Sequence, residues 1–224
     1  MKKKKKKIKI KSFLITLSII IVLALLVYGY MQLHIKNIYV IGNHILSEQE
    51  IIEEAEISNY PKLYSVSKKK ITDKLKKINL IKEVNVSKSL FGKITINIQE
   101  NRVLYKENES YMLSSGELIS FADEILGIPT LINEVDDKVL NKFIEKLNLV
   151  SDNILSKISE IKYMPIELDG ERFMFYMNDG NYVYITLSKM EVINNYNEIY
   201  PTLEGNKGIL YLDSGNHFEI KKKN

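Results

Sequence analysis

Cysteine is absent from the 224 residues, which excludes disulfide bonds, thiol chemistry and metal sites built on cysteine. Histidine is almost as scarce, because only three occur: His34, His44 and His217. No two of them have the spacing of a metal-ligand pair, and no H-E-x-x-H motif is present. We therefore expect neither a bound metal nor a cofactor.

Signatures of catalysis are missing as well. The sequence has no glycine-rich phosphate loop, and no G-x-S-x-G or S-x-x-K nucleophile motif in a fitting context. Neighbouring acids such as Glu53-Glu54 and Asp136-Asp137 are typical of solvated faces, because adjacent side chains usually point in different directions. We expect no enzyme and no catalytic residues. A carboxylate pair assembled by the fold, as in a glycosidase, stays open as the alternative.

The first twelve residues contain no acid. They carry eight lysines, namely Lys2 to Lys7, Lys9 and Lys11. Without these lysines the chain has 24 basic and 28 acidic residues, so the net charge of +4 comes from this tail. Nucleic-acid binding, which usually needs a basic face on a folded domain, is not expected. Beside an apolar segment, such a lysine run predicts which end stays in the cytoplasm.

Residues 13–31, FLITLSIIIVLALLVYGYM, form an uncharged run. As a helix this run spans roughly 28 Å, close to the thickness of a bilayer's hydrocarbon core. Tyr28 and Tyr30 fall at its outer end, where aromatic rings favour the membrane interface. A cleaved signal peptide is the rival interpretation, but its apolar core is usually shorter. We predict a cytoplasmic basic tail at 1–12, one uncleaved transmembrane helix at 13–31 and an extracytoplasmic remainder.

The pattern from residue 34 to 101 predicts strand, helix, helix, strand, strand. Residues 35–41 alternate as a strand does, and Ser47-Glu48-Gln49-Glu50 is a capping-box sequence that predicts a helix start. A second helix is expected from Ser67, with its lysines in solvent; contact of these lysines with an anionic membrane surface is the minority interpretation. Alternation around Val84 and in KITINIQE predicts the last two strands.

Residues 102–221 predict a mixed β domain with flanking helices. Its expected strands are 102–106, 111–121 with a break at 114–116, an extended stretch at 127–131, and 161–164, 172–177, 182–187, 208–212 and 217–220. Asp179-Gly180 between two alternating runs is a hairpin signal, because glycine accepts positive φ. Apolar spacing predicts a helix around Phe143, and Ser188-Lys189-Met190-Glu191 predicts a capped helix that ends at Pro201.

The segments VIGNHILSEQEI, LYSVSKKKITDKL and VNVSKSLFGKITINIQENR resemble a POTRA domain of the FtsQ/DivIB family of bacterial division proteins. ISEIKYMP, FYMNDG, YPTLEGNKGILYLDSG and HFEI resemble that family's C-terminal β domain. The chain departs from the family where Asn79-Leu80 and Leu90-Phe91 replace Pro-Trp and Trp-Pro. The resemblance implies an α+β protein with a transmembrane helix, a POTRA domain at 34–101, a β domain at 102–221 and a short tail at 222–224.

The resemblance also implies a function. The implied function is that of a non-enzymatic divisome scaffold that binds FtsL-type and FtsB/DivIC-type bitopic proteins outside the membrane, with the septal peptidoglycan synthase complex as a further implied partner. The cell membrane at the division septum is the implied location. The implied partner-binding residues surround the last two strands: Gly208, Tyr211, Leu212, Asp213, Ser214, Gly215 and Phe218. A POTRA-containing assembly or transport subunit and, more remotely, a membrane-anchored cell-wall hydrolase are the alternatives.

Overall fold

The computed structural model describes residues 10–121, 124–203 and 205–221. Most of the predicted basic tail and the predicted short tail at 222–224 lie outside the described residues. The chain divides into two compact units, Met1–Glu100 and Asn101–Asn224, called here the first and the second unit. The predicted boundary between residues 101 and 102 falls one residue from this division.

Helix α1, Ile10–Met31, is the N-terminal apolar helix. Its 22 residues extend roughly 33 Å, enough to cross a bilayer's hydrocarbon core. Within the part of the chain that the structure describes, α1 alone has the length and composition of a membrane span.

The rest of the first unit has the predicted order of elements. They are β1 (Asn37–Ile41), α2 (Glu48–Glu54), a 3₁₀ turn (Leu63–Ser65), α3 (Lys68–Leu75), β2 (Ile81–Lys88) and β3 (Lys93–Glu100). The strands form a three-stranded sheet in the order β1-β3-β2, with β1 parallel and β2 antiparallel to β3. This arrangement confirms the predicted βααββ order.

The two helices that follow α1 in the first unit, α2 and α3, each begin at a serine cap. The Ser47 hydroxyl accepts the Glu50 N–H, and the Glu50 carboxylate accepts the Ser47 N–H, so the predicted capping box is formed. Ser67 caps α3 by accepting the Lys70 N–H. The helices cover one face of the sheet with aliphatic side chains. The buried residues include Ile51, Leu63, Ile71, Leu75, Ile94, Ile96 and Ile98.

The second unit is built on a nine-stranded sheet. Its strands are β4 (Val103–Glu107), β5 (Ser110–Leu113), β6 (Leu118–Ile119), β7 (Thr130–Leu131), β8 (Ile158–Tyr163), β9 (Arg172–Met177), β10 (Tyr182–Thr186), β11 (Gly208–Tyr211) and β12 (His217–Ile220). Its helices are α4 (Asp137–Leu147), α5 (Asp152–Leu155), α6 (Tyr196–Ile199) and the 3₁₀ helices Leu187–Asn195 and Tyr200–Leu203. The strand order is β12-β11-β10-β9-β8-β7-β4-β5-β6. These mixed sheets with helices confirm the α+β class.

Aromatic rings fill the core of the second unit. Phe143, on the predicted apolar stripe of α4, stacks on Phe173 of β9 with ring centroids 4.4 Å apart. Tyr105 of β4 contacts Phe143 at 5.5 Å. Such pairs stabilise a fold beyond the area that they bury.

The helix predicted after β10 is different in the structure. Residues 187–195 are a 3₁₀ helix whose N-cap, Thr186, makes no side-chain cap hydrogen bond, so the capping box predicted at Ser188 is wrong. Val192, Ile193 and two consecutive asparagines are poor α-helix formers, which favours the tighter 3₁₀ form. Pro201 does not end the helical segment either, because the 3₁₀ helix Tyr200–Leu203 runs through it.

Candidate functional site

The predicted partner-binding residues lie around the last two strands, where the nine-stranded sheet ends. Strand β11 is an inner strand, parallel to β10 on one side and antiparallel to β12 on the other. Strand β12 is the edge. The predicted set therefore divides between an inner strand, the Leu212–Gly215 turn and, at Phe218, the edge strand.

Backbone groups of β12 point alternately toward β11 and away from it. The Lys221 N–H donates to the Lys207 carbonyl at 2.8 Å, which identifies this pair as hydrogen-bonded. In an antiparallel ladder the hydrogen-bonded pairs recur every second residue, so Glu219 and His217 also face β11. Phe218 and Ile220 therefore direct their N–H and C=O groups to the free margin of the sheet.

Gly208 places β11 against both of its neighbours. Its buried N–H donates to the Asn181 side-chain oxygen at 2.9 Å. A Cβ at this position would lie 2.0 Å from the Glu219 carbonyl oxygen and 2.8 Å from the tip of the Phe218 ring. Gly208 is thus a packing position beneath β12, and its role is to let the edge strand approach.

Asn181 belongs to a buried polar network at the β9–β10 hairpin. Its amide donates to the Tyr196 hydroxyl at 3.1 Å, and that hydroxyl donates to Asp179 at 2.7 Å. Burial, followed by the hydrogen bond with Asp179, raises the pKa of Tyr196 well above its usual value, so the hydroxyl stays protonated and remains a donor. The network connects the predicted Asp179-Gly180 hairpin to the start of β11.

Tyr211 and Leu212 point to opposite faces. Leu212 is 1% exposed and packs in the core, so it presents no surface to a partner, which corrects its place among the predicted contact residues. Tyr211 lies half-buried on the outer face, where its ring stacks between Tyr184 at 5.4 Å and His217 at 4.6 Å. The Tyr211 hydroxyl reaches Glu219 of the edge strand at 3.1 Å.

Asp213 holds the turn that leads into β12. Its carboxylate accepts the Arg172 Nε–H at 2.7 Å, and the Arg172 guanidinium lies 3.8 Å from the Tyr184 ring centroid. Burial disfavours the charged carboxylate, but hydrogen bonds from Arg172 and Ser214 outweigh it, so the pKa of Asp213 lies below its usual value. Ser214 and Gly215 are exposed at the tip of the turn.

Two grooves flank the edge. One, of about 350 Å³, lies on the helix-covered side and is lined by Phe218, Val192, Ile199 and Leu203 among others. The other, of about 630 Å³, lies on the outer face beside Tyr182, Tyr184 and Ile209. Sequence reasoning did not single out the residues of the outer groove. The alternation of side chains along β10 and β11 indicated two strands, but it did not show that these two strands pair with each other.

The described residues hold no group of three or more His, Asp or Glu side chains that could bind a metal ion. Among the residues that the structure describes, the outward backbone groups of Phe218 and Ile220 have no strand partner, and aromatic and apolar side chains lie beside them. That arrangement suits the addition of a partner strand.

Comparison with known proteins places these features in a family. The model of the FtsQ-type POTRA domain matches residues 33–101. The cell division protein DivIB of Bacillus subtilis is 29% identical over 215 residues, covering 89% of this chain and 80% of the relative. DivIB of Listeria monocytogenes is 30% identical over 194 residues, covering 83% of this chain and 72% of the relative. The chain belongs to the DivIB family.

A solved structure is also similar to this DivIB-family chain. It is the major extracytoplasmic domain of the trans isomer of DivIB from Geobacillus stearothermophilus, with a TM-score of 0.39 and 23% identity, covering 47% of this chain and 96% of that one. Family membership and the apolar helix α1 assign this DivIB-family chain a role in cell division as a single-pass membrane protein. Both features fit a member of a division complex.

Proposed function

We propose that the chain is a non-enzymatic scaffold of the divisome that binds FtsL-type and FtsB/DivIC-type proteins outside the membrane. The N-terminus lies in the cytoplasm, residues 34–221 lie outside the membrane, and the protein concentrates at the septum, where it couples septum assembly to peptidoglycan synthesis. The observation that carries the proposal is the position of β12 at the end of the sheet, with β11 on one side and a free margin on the other.

Backbone pairing supplies the affinity. The outward N–H and C=O groups of Phe218 and Ile220 receive an extended segment of the partner as a further strand. Since β12 has only four residues, the added ladder is short, and side-chain contacts supply the rest.

Side-chain selectivity comes from the two faces of the edge. On the helix-covered face, apolar side chains of the added strand enter the groove beside Phe218 and Ile199. On the outer face, Tyr211 and His217 form an aromatic pair next to the exposed carboxylate of Glu219. A partner segment that alternates apolar residues with residues able to stack or to pair with an acid matches both faces.

Anchoring in one membrane makes weak contacts sufficient. The expected partners each span the bilayer beside α1, so the binding step occurs at a raised effective concentration.

Co-purification from membranes with the full chain tests the proposal. In Ile220→Pro the donor that faces the partner is removed, whereas the β11–β12 hydrogen bonds remain, because proline is tolerated where the N–H points away from the sheet. We expect about tenfold weaker capture of the FtsL-type and FtsB/DivIC-type proteins, which corresponds to one lost backbone hydrogen bond.

Ile220→Ala is the matched control, because it shortens the same exposed side chain and keeps the N–H. It should capture the partners nearly as well as the unaltered chain. Capture by Ile220→Pro that equals capture by the unaltered chain would show that β12 is not the docking strand. Equally weakened capture by both variants would show that the Ile220 side chain, and not the backbone, supplies the affinity.

A further inference from the structure

The β2–β3 hairpin of the first unit lies at the end of the sheet where the chain leaves α1. Strand β1 begins at Asn37, six residues after the last residue of α1, and runs parallel to β3 with Asn37 opposite Lys93. The starts of β1 and β3 therefore lie side by side. The turn that precedes β3, residues 89–92, is at this same end.

Direct contacts join this turn to the segment that emerges from α1. The Gly92 carbonyl accepts the Lys36 N–H at 2.8 Å and the Asn37 N–H at 3.3 Å. A Cβ on Gly92 would lie 2.7 Å from the His34 carbonyl oxygen, so the two backbones are in contact. Between Met31 and His34 the chain spans at most about 10 Å. With Met31 at the edge of the hydrocarbon core, this distance would put the hairpin turn within or beside the headgroup layer, which adds about 5–8 Å to each side of that core.

The tip of this hairpin is apolar and exposed. Leu90 is 68% and Phe91 is 82% exposed. Adjacent large apolar side chains in solvent are unfavourable, and such a pair commonly marks a surface that is covered in the working protein. Tyr64 is also exposed on the 3₁₀ turn whose Leu63 N–H donates to the Leu33 carbonyl just after α1.

Charge is distributed unevenly along the first unit. No Asp or Glu occurs in residues 32–47, 57–72 or 84–99. Lys68, Lys69 and Lys70 are exposed at the start of α3. The Lys88 ammonium at the end of β2 donates to the Val66 carbonyl at 2.9 Å, which places the start of α3 near the hairpin. The opposite end of the sheet has charges of both signs, because Glu83 and Glu100 lie there with Lys82, and Glu100 accepts the Ile45 and Leu46 N–H groups before α2.

We infer that Leu90, Phe91 and Lys68 to Lys70 form a membrane-facing tip that rests on the anionic phospholipids of the leaflet from which α1 emerges. Apolar and aromatic side chains flanked by lysines match the interface of such a leaflet, where rings enter the headgroup level and lysines pair with lipid phosphates. The occupant is the bilayer that already holds α1, since the turn contacts the chain within three residues of the helix end. The tip fixes the first unit against the membrane and is independent of β12.

The chain has no tryptophan, so the Phe91→Trp variant carries a single indole whose fluorescence reports on position 91 alone. The full chain is reconstituted into phosphatidylcholine vesicles containing phosphatidylglycerol. Trp fluorescence is then quenched from the bilayer by shallow brominated lipids and from water by iodide. We expect a blue-shifted emission, strong quenching by the brominated lipids and protection from iodide. The matched control is Ile41→Trp, a 54% exposed apolar position at the other end of β1, which should show the reverse.

Replacement of Lys68, Lys69 and Lys70 by Gln should weaken the lipid quenching of the Phe91→Trp probe, as should vesicles of phosphatidylcholine alone. Gln at Lys76 and Lys77, at the opposite end of α3, should leave it unchanged. Equal iodide quenching at positions 91 and 41 would overturn the inference. So would protection of position 91 that arises only when partner proteins are reconstituted with the chain, because the tip would then bind protein.

Discussion

The two units bury different kinds of side chain. The core of the first unit is aliphatic throughout, with Ile94, Ile96 and Ile98 of one strand at its centre, whereas its aromatic residues lie toward the surface. The core of the second unit contains the Phe143–Phe173 stack. It also includes a buried amide, that of Asn181, whose oxygen accepts the Gly208 N–H at the start of β11.

The difference shows how each unit obtains its shape. Aliphatic cores tolerate exchanges of similar volume, so the first unit depends mainly on its pattern of apolar and polar positions. Ring stacks and buried hydrogen bonds require particular partners, so the second unit holds β11 and β12 through individual contacts. The following experiments break or sharpen this contrast.

Phe173→Ala should have the largest effect. It removes a fully buried ring that stacks on Phe143, and large-to-small changes of this kind cost about 3–5 kcal/mol. Hydrogen exchange on the full chain should show loss of protection in the second unit and little change in the first. Ile96→Val, in the aliphatic core, is the contrasting change and should cost about 0.5–1.5 kcal/mol. Comparable losses for the two variants would contradict the distinction.

Leu212→Ala and Tyr211→Ala test whether neighbours on β11 have separate roles. Leu212 lies in the core, so its truncation should reduce the free energy of unfolding by about 2–5 kcal/mol. Tyr211 loses mainly ring contacts on the outer face, at about 0.5–1.5 kcal/mol. The reverse order, measured by hydrogen exchange in β11, would show that the assigned faces are wrong.

Asn181→Ala should come next. The change leaves the buried Gly208 N–H without its acceptor, and an unsatisfied buried donor costs about 1–3 kcal/mol. We expect faster exchange at Gly208 and Lys221, together with weaker partner capture because β12 rests on β11. Asn178→Ala removes an exposed amide of the same hairpin and should alter neither result.

Acidification should give the smallest effect. The pKa of Asp213 is lower in the folded chain than its ordinary value of 3.8, because hydrogen bonds from Arg172 and Ser214 outweigh burial. The contribution of this group to stability is therefore complete above pH 3.8 and is lost as the pH falls through the lower, folded-state pKa. Protection factors in β9, which correct for the intrinsic pH dependence of exchange, should fall in this range when measured from pH 6 downward, and Asp213→Asn should remove this fall.

In the first unit, the pKa of Glu50 is also lowered by its hydrogen bonds with Ser47. Because this carboxylate is exposed, water screens the interaction, and Glu50→Gln should change the acid response less than Asp213→Asn does. A larger effect of the Glu50 change would contradict the contrast between the two units.

Local patterns predicted most of the fold. Period-two alternation, the capping box at Ser47 and the helix start at Ser67 predicted the elements of the first unit, whereas the parallel pairing of β1 with β3 joins residues far apart in the chain. In the second unit, local patterns also predicted the Asp179-Gly180 hairpin and the apolar stripe of α4. The capping box predicted at Ser188 was wrong, because the poor helix formers in the residues that follow outweighed the local motif.

The candidate site was predictable only in outline. Its location around the last two strands followed from the family resemblance, and its use by partners stays a prediction. Sequence did not show that Leu212 would be buried, because the face of a strand depends on its register with a partner, and β11 pairs in parallel with β10 across an intervening helical segment. The Arg172–Asp213 ion pair joins residues 41 positions apart, which no local pattern reveals.

The junction after α1 has a mechanical meaning. Tyr30 and Leu33 pack against the core of the first unit, and Ile35 is already buried. Because packed side chains join the end of α1 to the β1 segment, we expect a rotation of the helix in the bilayer to turn the POTRA fold with it.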